Sequence, residues 1–558
     1  MTDGPDAALL ARPRDRPTRR PETRALPGST FAPFAYRTYR LLWIAALASN
    51  LGGLIQNVGA GWLMTSLTDS PVMVAMVQGS VTLPLAVLSL LGGVFADNFE
   101  RRNVMMAAQA FMLTVSGLLA ALSWGGMLGP WGLLAFTFAI GCGGAIHLPS
   151  WQASVPDLVP REHLPQAVML NGMGFNLMRS AGPALGGVIV ALFGAPAAFV
   201  LNTITYLPVI AVLHGWRPER APDPLPREPI GSALRAGMRY ASLSADHLRI
   251  MFRAAVFGMS AVSVLAIMPL VARESLGGTA VTFGALLASF GLGAVCAALV
   301  MRRLRDALAT ETIVRMAFVT MAVGLVALGK AGAVWQAGLA ACACGMAWQS
   351  SMALFNVSIQ LATPRWVLGR IMSLLQVFTF TGMTLGSYVW GRLASETGIS
   401  TALDISAGLC LVGAVLGLVL YLPAESNHDL APHGHFTPPR PTLDITMNSG
   451  PIKVSVEYLI PEDRTEAFLE AMQRRRVIRL RDGAHSWSLY RDLTAPALWH
   501  ETYRVPTWAA YLRHMARRTA ADHANYRDLL ELHTGETPPQ ARRWIERPAE
   551  PTVRPPRI

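Results

Sequence analysis

Acidic residues are nearly missing from the long apolar runs of this chain. Charge is scarce overall: 15% of the 558 residues are charged, while 52% are hydrophobic. That balance excludes an ordinary water-soluble fold for most of the sequence. Cysteine is also rare. The five cysteines (Cys142, Cys296, Cys342, Cys344, Cys410) all fall inside apolar runs. Cys342 and Cys344 are two apart, which suits neither zinc nor redox chemistry, so all five read as small core residues. No metal and no cofactor is expected. A short apolar core before the first long run is missing too, so no cleavable signal peptide is expected. Glu274, Glu396 and Asp404 lie near the ends of runs, which leaves no evident carboxylate proton carrier inside them.

Long hydrophobic runs are what the chain does have. Val72–Ala96 and Asn103–Gly129 each reach the roughly 20 apolar residues that a bilayer-spanning helix needs. Twelve such spans are expected, at roughly 39–66, 72–96, 103–125, 131–153, 166–192, 197–215, 251–272, 281–302, 312–330, 335–360, 370–393 and 401–422. Loops after even-numbered spans carry Arg101, Arg102, Arg161, Arg217, Arg220, Arg227, Arg302, Arg303 and Arg365, while the odd loops hold little beyond Arg273 and Lys330. The positive-inside bias therefore places the even loops and both termini in the cytoplasm. It also explains the net charge of +12 without nucleic acid, because the arginines lie in loops between spans and not on one folded face. Trp62, Trp124, Trp131 and Trp335 fall near the outer ends, as interfacial anchors do.

The spans repeat. Pro160, Arg161, Leu164, Gly182 and Gly194 are echoed by Pro364, Arg365, Leu368, Gly386 and Gly398, each pair 204 apart. Two similar membrane halves suggest a transporter, since alternating access needs two bundles that rock around a site between them. The expected division is a disordered basic N-terminus (1–35), a six-helix bundle (36–215), a central Pro- and Arg-rich cytoplasmic loop (216–250), a second six-helix bundle (251–423), a polar linker (424–450), a soluble domain (451–547) and a disordered tail (548–558). In the soluble domain, strands are expected at Lys453–Ile460, Trp487–Leu493 and Leu498–Tyr503. A helix is expected at Pro461–Arg476, one long helix at Thr507–His533, and a last strand at Arg543–Glu546. That order fits a ferredoxin-like α+β sandwich.

At this point the residues resemble a known family. The turn after span two, with Gly93, Asp97, Arg101 and Arg102, is similar to the loop motif of the Major Facilitator Superfamily, although Asn98 and Glu100 depart from it. The phrases running Gly61 to Pro71, Pro149 to Pro160 and Asn176 to Gly187, with the tail phrase Arg481 to Trp487, narrow the resemblance. They look like the transmembrane secretion effector branch, which is similar to enterobactin exporters and macrolide efflux proteins. The resemblance covers about residues 36–545 and implies a non-enzymatic exporter of the cytoplasmic membrane, acting on a small amphipathic molecule such as a siderophore or drug. Proton coupling is implied by the family alone. Uptake remains open, because the fold permits either direction.

The resemblance implies a cytoplasmic gate in which Asp97 meets the start of span eleven near Arg370, with Arg101 and Arg102 beside it. Those two arginines read equally as topology determinants. The second half keeps Arg302 and Arg303, but Ala298 stands where the aspartate would be. Gly182, Pro183, Gly186 and Gly187 resemble an antiporter motif; helix packing alone is the other reading. Arg179 lies near the midplane of span five, where a cation is costly unless it faces water or a partner. It serves an anionic substrate or a coupling network, or else bonds carbonyls freed at Pro183. Its counterpart at the repeat offset is Met383. Asn57, His147, Asn176 and Asn356 are further polar candidates for substrate or coupling, with His147 able to titrate or simply to bond between helices. The tail is similar to antibiotic-biosynthesis monooxygenase domains and reads as either a regulatory or dimerising module or a ligand-modifying one. His428, His433 and His435 have the look of a metal group or of solvated linker histidines.

Overall fold

A computed structural model describes residues 31–217, 230–422, 430, 439 and 441–547. Twelve long helices, of 20 to 31 residues, dominate it. At about 1.5 Å per residue, each is long enough to cross the roughly 30 Å apolar slab of a bilayer. The first six are α1 (Arg37–Leu67), α2 (Pro71–Asn98), α3 (Arg101–Trp124), α4 (Pro130–Leu158), α5 (Leu164–Phe193) and α6 (Ala195–Gly215). A short helix, α7 (Ile230–Ser242), follows. The second six are α8 (Ala245–Leu270), α9 (Ala280–Ala307), α10 (Thr310–Gly329), α11 (Val334–Ala362), α12 (Leu368–Thr397) and α13 (Ile399–Val419). Among the described residues, eleven of these are both long and apolar enough to span by composition. The twelfth, α11, is 29 residues long, but Gln349, Ser350, Ser351 and Asn356 lower its hydropathy. It packs against α9 and α10 as a full member of its bundle.

The repeat is visible in the backbone. α5 and α12 begin and end at positions 204 apart, as do α6 and α13. Gly194 (φ +79°) and Gly398 (φ +90°) are the one-residue turns joining them, with a backbone that L side chains rarely adopt. Gly182 presses on Leu54 of α1, and Gly386 presses on Met259 and Val262 of α8, so the fifth helix of each half packs on that half's first. The loops rich in arginine lie at one end, called here the basic end. Trp124, Trp131 and Trp335 are exposed at the opposite end, whereas Trp62 packs into the membrane core.

Residues 216–250, expected as a loop, hold α7 and the first turn of α8. The helix was hidden by flanking Pro and Arg. Its own pattern is strongly amphipathic, with Ala236, Tyr240 and Ala241 buried. The final part folds as β1 (Ile452–Leu459), α14 (Thr465–Arg481), β2 (His485–Arg491), β3 (Leu498–Val505), α15 (Trp508–Ala516), α16 (Ala520–Leu532) and β4 (Ala541–Ile545). The sheet is antiparallel in the order β2-β3-β1-β4, which is the ferredoxin-like arrangement. The single helix expected over Thr507–His533 is two. Thr519 and Asp522 form a reciprocal capping box that starts a new helix after Arg517 and Arg518.

Candidate functional site

Among the described residues, the closest contacts between the two membrane halves join the later part of α5 to the start of α9, and the first half of α2 to the second half of α12. A Cβ added to Gly187 would lie 2.8 Å from the carbonyl oxygen of Ala280 and 2.8 Å from the Cα of Gly284. A Cβ on Gly284 would in turn lie 2.8 Å from the Pro183 carbonyl oxygen. Only glycine on both helices lets α5 and α9 approach so closely. On the other seam, the hydroxyls of Thr82 (α2) and Thr384 (α12) are 2.9 Å apart, and a Cβ on Gly391 would lie 2.8 Å from the Ala75 Cβ. The antiporter-like residues thus divide their work. Gly182 and Gly186 face α1 within the first half, and Gly187 faces α9 across the seam.

Arg179 stands midway along α5, half-buried, one turn before Pro183. Its guanidinium carbon lies 5.6 Å from the centre of the Phe290 ring on α9. Among the described residues it has no carboxylate partner and no hydrogen bond, so the carbonyls near Pro183 do not hold it. A cation-π contact offsets about 1–2 kcal/mol, less than a membrane-embedded charge costs. Among the described residues, the charge of Arg179 at the junction of the halves is therefore only partly offset.

The other polar candidates separate. His147 faces Gln109 Nε2 at 3.3 Å, linking α4 to α3 within one bundle. Asn356 donates to the Met352 carbonyl oxygen at 2.7 Å, a bond within its own helix. Asn57 is exposed. The side chains of Asp97 and Asn176 lie outside the described residues, as do His428, His433 and His435. Among the described residues no group of His, Cys, Asp or Glu is placed to hold a metal.

Arg101 and Arg102, expected at a cytoplasmic gate, have partners inside their own half. Arg101 donates to the Ala153 carbonyl oxygen and to Asp157 Oδ2, both at 2.8 Å. Arg102 donates to the carbonyls of Leu213 (2.8 Å) and His214 (2.9 Å), capping the end of α6. Arg370 packs against α7, where a Cβ on Gly237 would lie 2.9 Å from its Cβ.

Two features were missed in the sequence. Arg253 of α8 is 1% exposed and pairs with Glu311 of α10 at 2.5 Å, and Glu311 also accepts from the Leu422 amide at 2.8 Å. A lone arginine opening an otherwise apolar run was the available signal. The second is the docking of the soluble domain. The guanidinium of Arg517 lies 4.1 Å over the Trp366 ring in the α11–α12 connection, and that of Arg481 lies 5.5 Å from the Tyr240 ring of α7. Tyr240 in turn meets Trp366 edge-on at 5.8 Å. The soluble domain therefore rests on the same short helix that supports Arg370.

The transmembrane secretion effector profile matches residues 28–551. The staphyloferrin A transporter of Staphylococcus aureus is 24% identical over 255 residues, covering 45% of this chain and 63% of that protein, somewhat under two thirds of its length. The enterobactin exporter EntS of Escherichia coli (strain UTI89) is 29% identical over 353 residues, covering 59% of this chain and 79% of the relative. Among solved structures, a bacterial homolog of the lysosomal transporter Spinster, inward-facing and unoccupied, aligns with a TM-score of 0.56 at 12% identity, over 70% of this chain and 96% of its own. A POT family transporter in complex with 5-aminolevulinic acid aligns with a TM-score of 0.58 at 12% identity, over 69% and 96%. These two establish the fold alone.

Proposed function

We propose that this chain, which belongs to the transmembrane secretion effector family of the Major Facilitator Superfamily, is a proton-coupled exporter of a small amphipathic anion, of siderophore or acidic-drug type, in the cytoplasmic membrane. It is a multi-pass membrane transporter. The observation that carries the proposal is Arg179, a cation at the junction of the halves that has, among the described residues, an aromatic ring and no carboxylate beside it. Such a group binds an oxygen-rich anion by charge and by paired donors. The names of the relatives, a staphyloferrin A transporter and enterobactin exporters, support the same class of cargo.

The positive-inside bias orients the basic end and both termini to the cytoplasm. With the seams packed at the opposite end, the chain is then closed outward. Export requires those glycine seams to open and the basic end to close, with Asp97 meeting the Arg370 region as the gate. Arg101 and Arg102 hold the cytoplasmic ends of α4 and α6 rigid while this happens.

Untargeted metabolomics of cells and medium, with and without the gene, tests the cargo. An anionic amphiphile accumulating in cells that lack the gene supports export, and one missing from those cells supports uptake. Vesicles with an imposed pH gradient test coupling: transport indifferent to the gradient and to a protonophore sinks proton antiport. A chain lacking residues 440–558 tests the soluble domain, and full transport would leave that domain accessory.

A further inference from the structure

The soluble domain encloses a cavity of about 460 Å³ between the face of its sheet and helices α14, α15 and α16. Its charged lining is three arginines, Arg475, Arg479 and Arg518, and two aspartates, Asp482 and Asp522. Arg479 donates from Nε to Glu501 Oε1 at 3.0 Å, contacts His514 Nε2 at 3.3 Å, and lies 4.4 Å over the Tyr503 ring. Arg475 stands 3.9 Å from the same carboxylate, and its buried Nε has no hydrogen-bond partner. Arg518 is held by a 3.0 Å contact to the Met515 sulfur and, among the described residues, has no carboxylate. Two of these guanidinium groups thus share Glu501, which is fully buried, and the third has no carboxylate among the described residues. The two carboxylates that line the cavity, Asp482 and Asp522, pair with Arg481 instead. Asp522 receives Arg481 at both oxygens, at 2.9 and 2.8 Å, and Asp482 receives it at 3.0 Å.

Around this charged end the walls are apolar and aromatic. They include Val456, Tyr458, Ile478, Tyr526 and Pro539. Burying guanidinium groups without enough counter-charge is unfavourable unless something supplies acceptors. A carboxylate does so with paired oxygens that match the guanidinium fork. We propose that this cavity is a binding site for a small amphipathic carboxylate, its acid group on Arg475 and Arg518 and its apolar or aromatic body against Tyr458, Ile478 and Tyr526. The site belongs to the soluble domain and stands whether or not the membrane part exports an anion.

The test uses the detergent-purified full chain and three probes: benzoate, its neutral isostere benzamide, and inorganic phosphate. Calorimetry is expected to show benzoate saturating one site per chain, with benzamide and phosphate at least tenfold weaker. Hydrogen exchange is expected to show benzoate protecting the segments around 475–482 and 514–526. Arg518→Gln is expected to weaken benzoate at least tenfold, while Arg179→Gln leaves this binding unchanged. Met515→Glu places a carboxylate beside Arg518. It should abolish benzoate binding and raise the melting temperature of the domain, which distinguishes an occupied site from a misfolded one. Benzamide binding as tightly as benzoate overturns the proposal. So does phosphate binding as well as benzoate, or protection confined to the membrane helices. Undiminished benzoate binding in folded Arg518→Gln and Met515→Glu would also overturn it.

Discussion

Gly187 and Gly284 meet backbone to backbone across the two halves of the membrane domain, with room for no side chain on either. The obstacles on each side are main-chain atoms, which cannot rotate away. A leucine at either site should hold α5 and α9 apart, at a packing cost of about 1–3 kcal/mol. Gly187→Leu and Gly284→Leu should therefore reach the membrane in normal amounts and transport at least tenfold more slowly. Cysteine pairs placed across the seam should cross-link more weakly in both variants. Normal transport with normal cross-linking would show that the seam need not close.

Arg179 predicts a charge-specific defect. Arg179→Gln keeps much of the stem but loses the cation, and should lower export at least tenfold. Arg179→Lys keeps the charge but loses the fork and part of the contact with Phe290, so an intermediate rate is expected. Counterflow in proteoliposomes measures this. Equal rates in the glutamine and lysine variants would assign Arg179 a packing role.

Much of this was legible in the sequence, and for physical reasons. A bilayer forces long apolar helices, so the spans show in composition. The positions of Gly194 and Gly398 show too, because only glycine tolerates their backbone. Partnerships between distant helices leave no periodic trace. Phe290, the neighbour of Arg179, reads as one more apolar residue in α9, and Gly284 as one more small one. Glu501 did leave a trace, as a carboxylate in the inward register with Trp499 and Tyr503. Its meaning needed Arg475 and Arg479 of α14, and Arg479 lies beyond the helix end expected at Arg476.

Arg253 and Glu311 join α8 to α10 and to the end of α13. Removing one partner leaves a buried charge alone, so Arg253→Met or Glu311→Leu should each destabilise by about 3–5 kcal/mol. Arg253→Met combined with Glu311→Leu should recover much of that loss, because no charge is then stranded. Thermal unfolding of the four proteins in detergent reads the coupling. Additive losses would mean that the two residues act separately.

Glu501 and Asp482 give the soluble domain opposite responses to acid. Burial pushes the Glu501 carboxyl up, but Arg479 and Arg475 outweigh it and hold it at about 2, below the ordinary 4.5. The unfolded chain therefore takes up a proton below pH 4.5 that the folded chain refuses. Stability from Glu501 is complete above that pH and is lost as the pH falls toward 2. Asp482 is pushed up to about 6 by burial, against the pull of Arg481. Between about 6 and the ordinary 3.8 the folded chain holds the extra proton, so this group stabilises as the pH falls through that window. Calorimetry of the full chain, following the soluble domain's transition, should show melting rise from pH 7 to about 5 and drop below about 4. Asp482→Asn should flatten the upper slope and leave the acid-side drop. Glu501→Gln should lower melting at every pH above 5 and flatten the acid-side drop. A soluble domain whose melting is level from pH 7 to 3 in the unmodified chain would contradict both assignments.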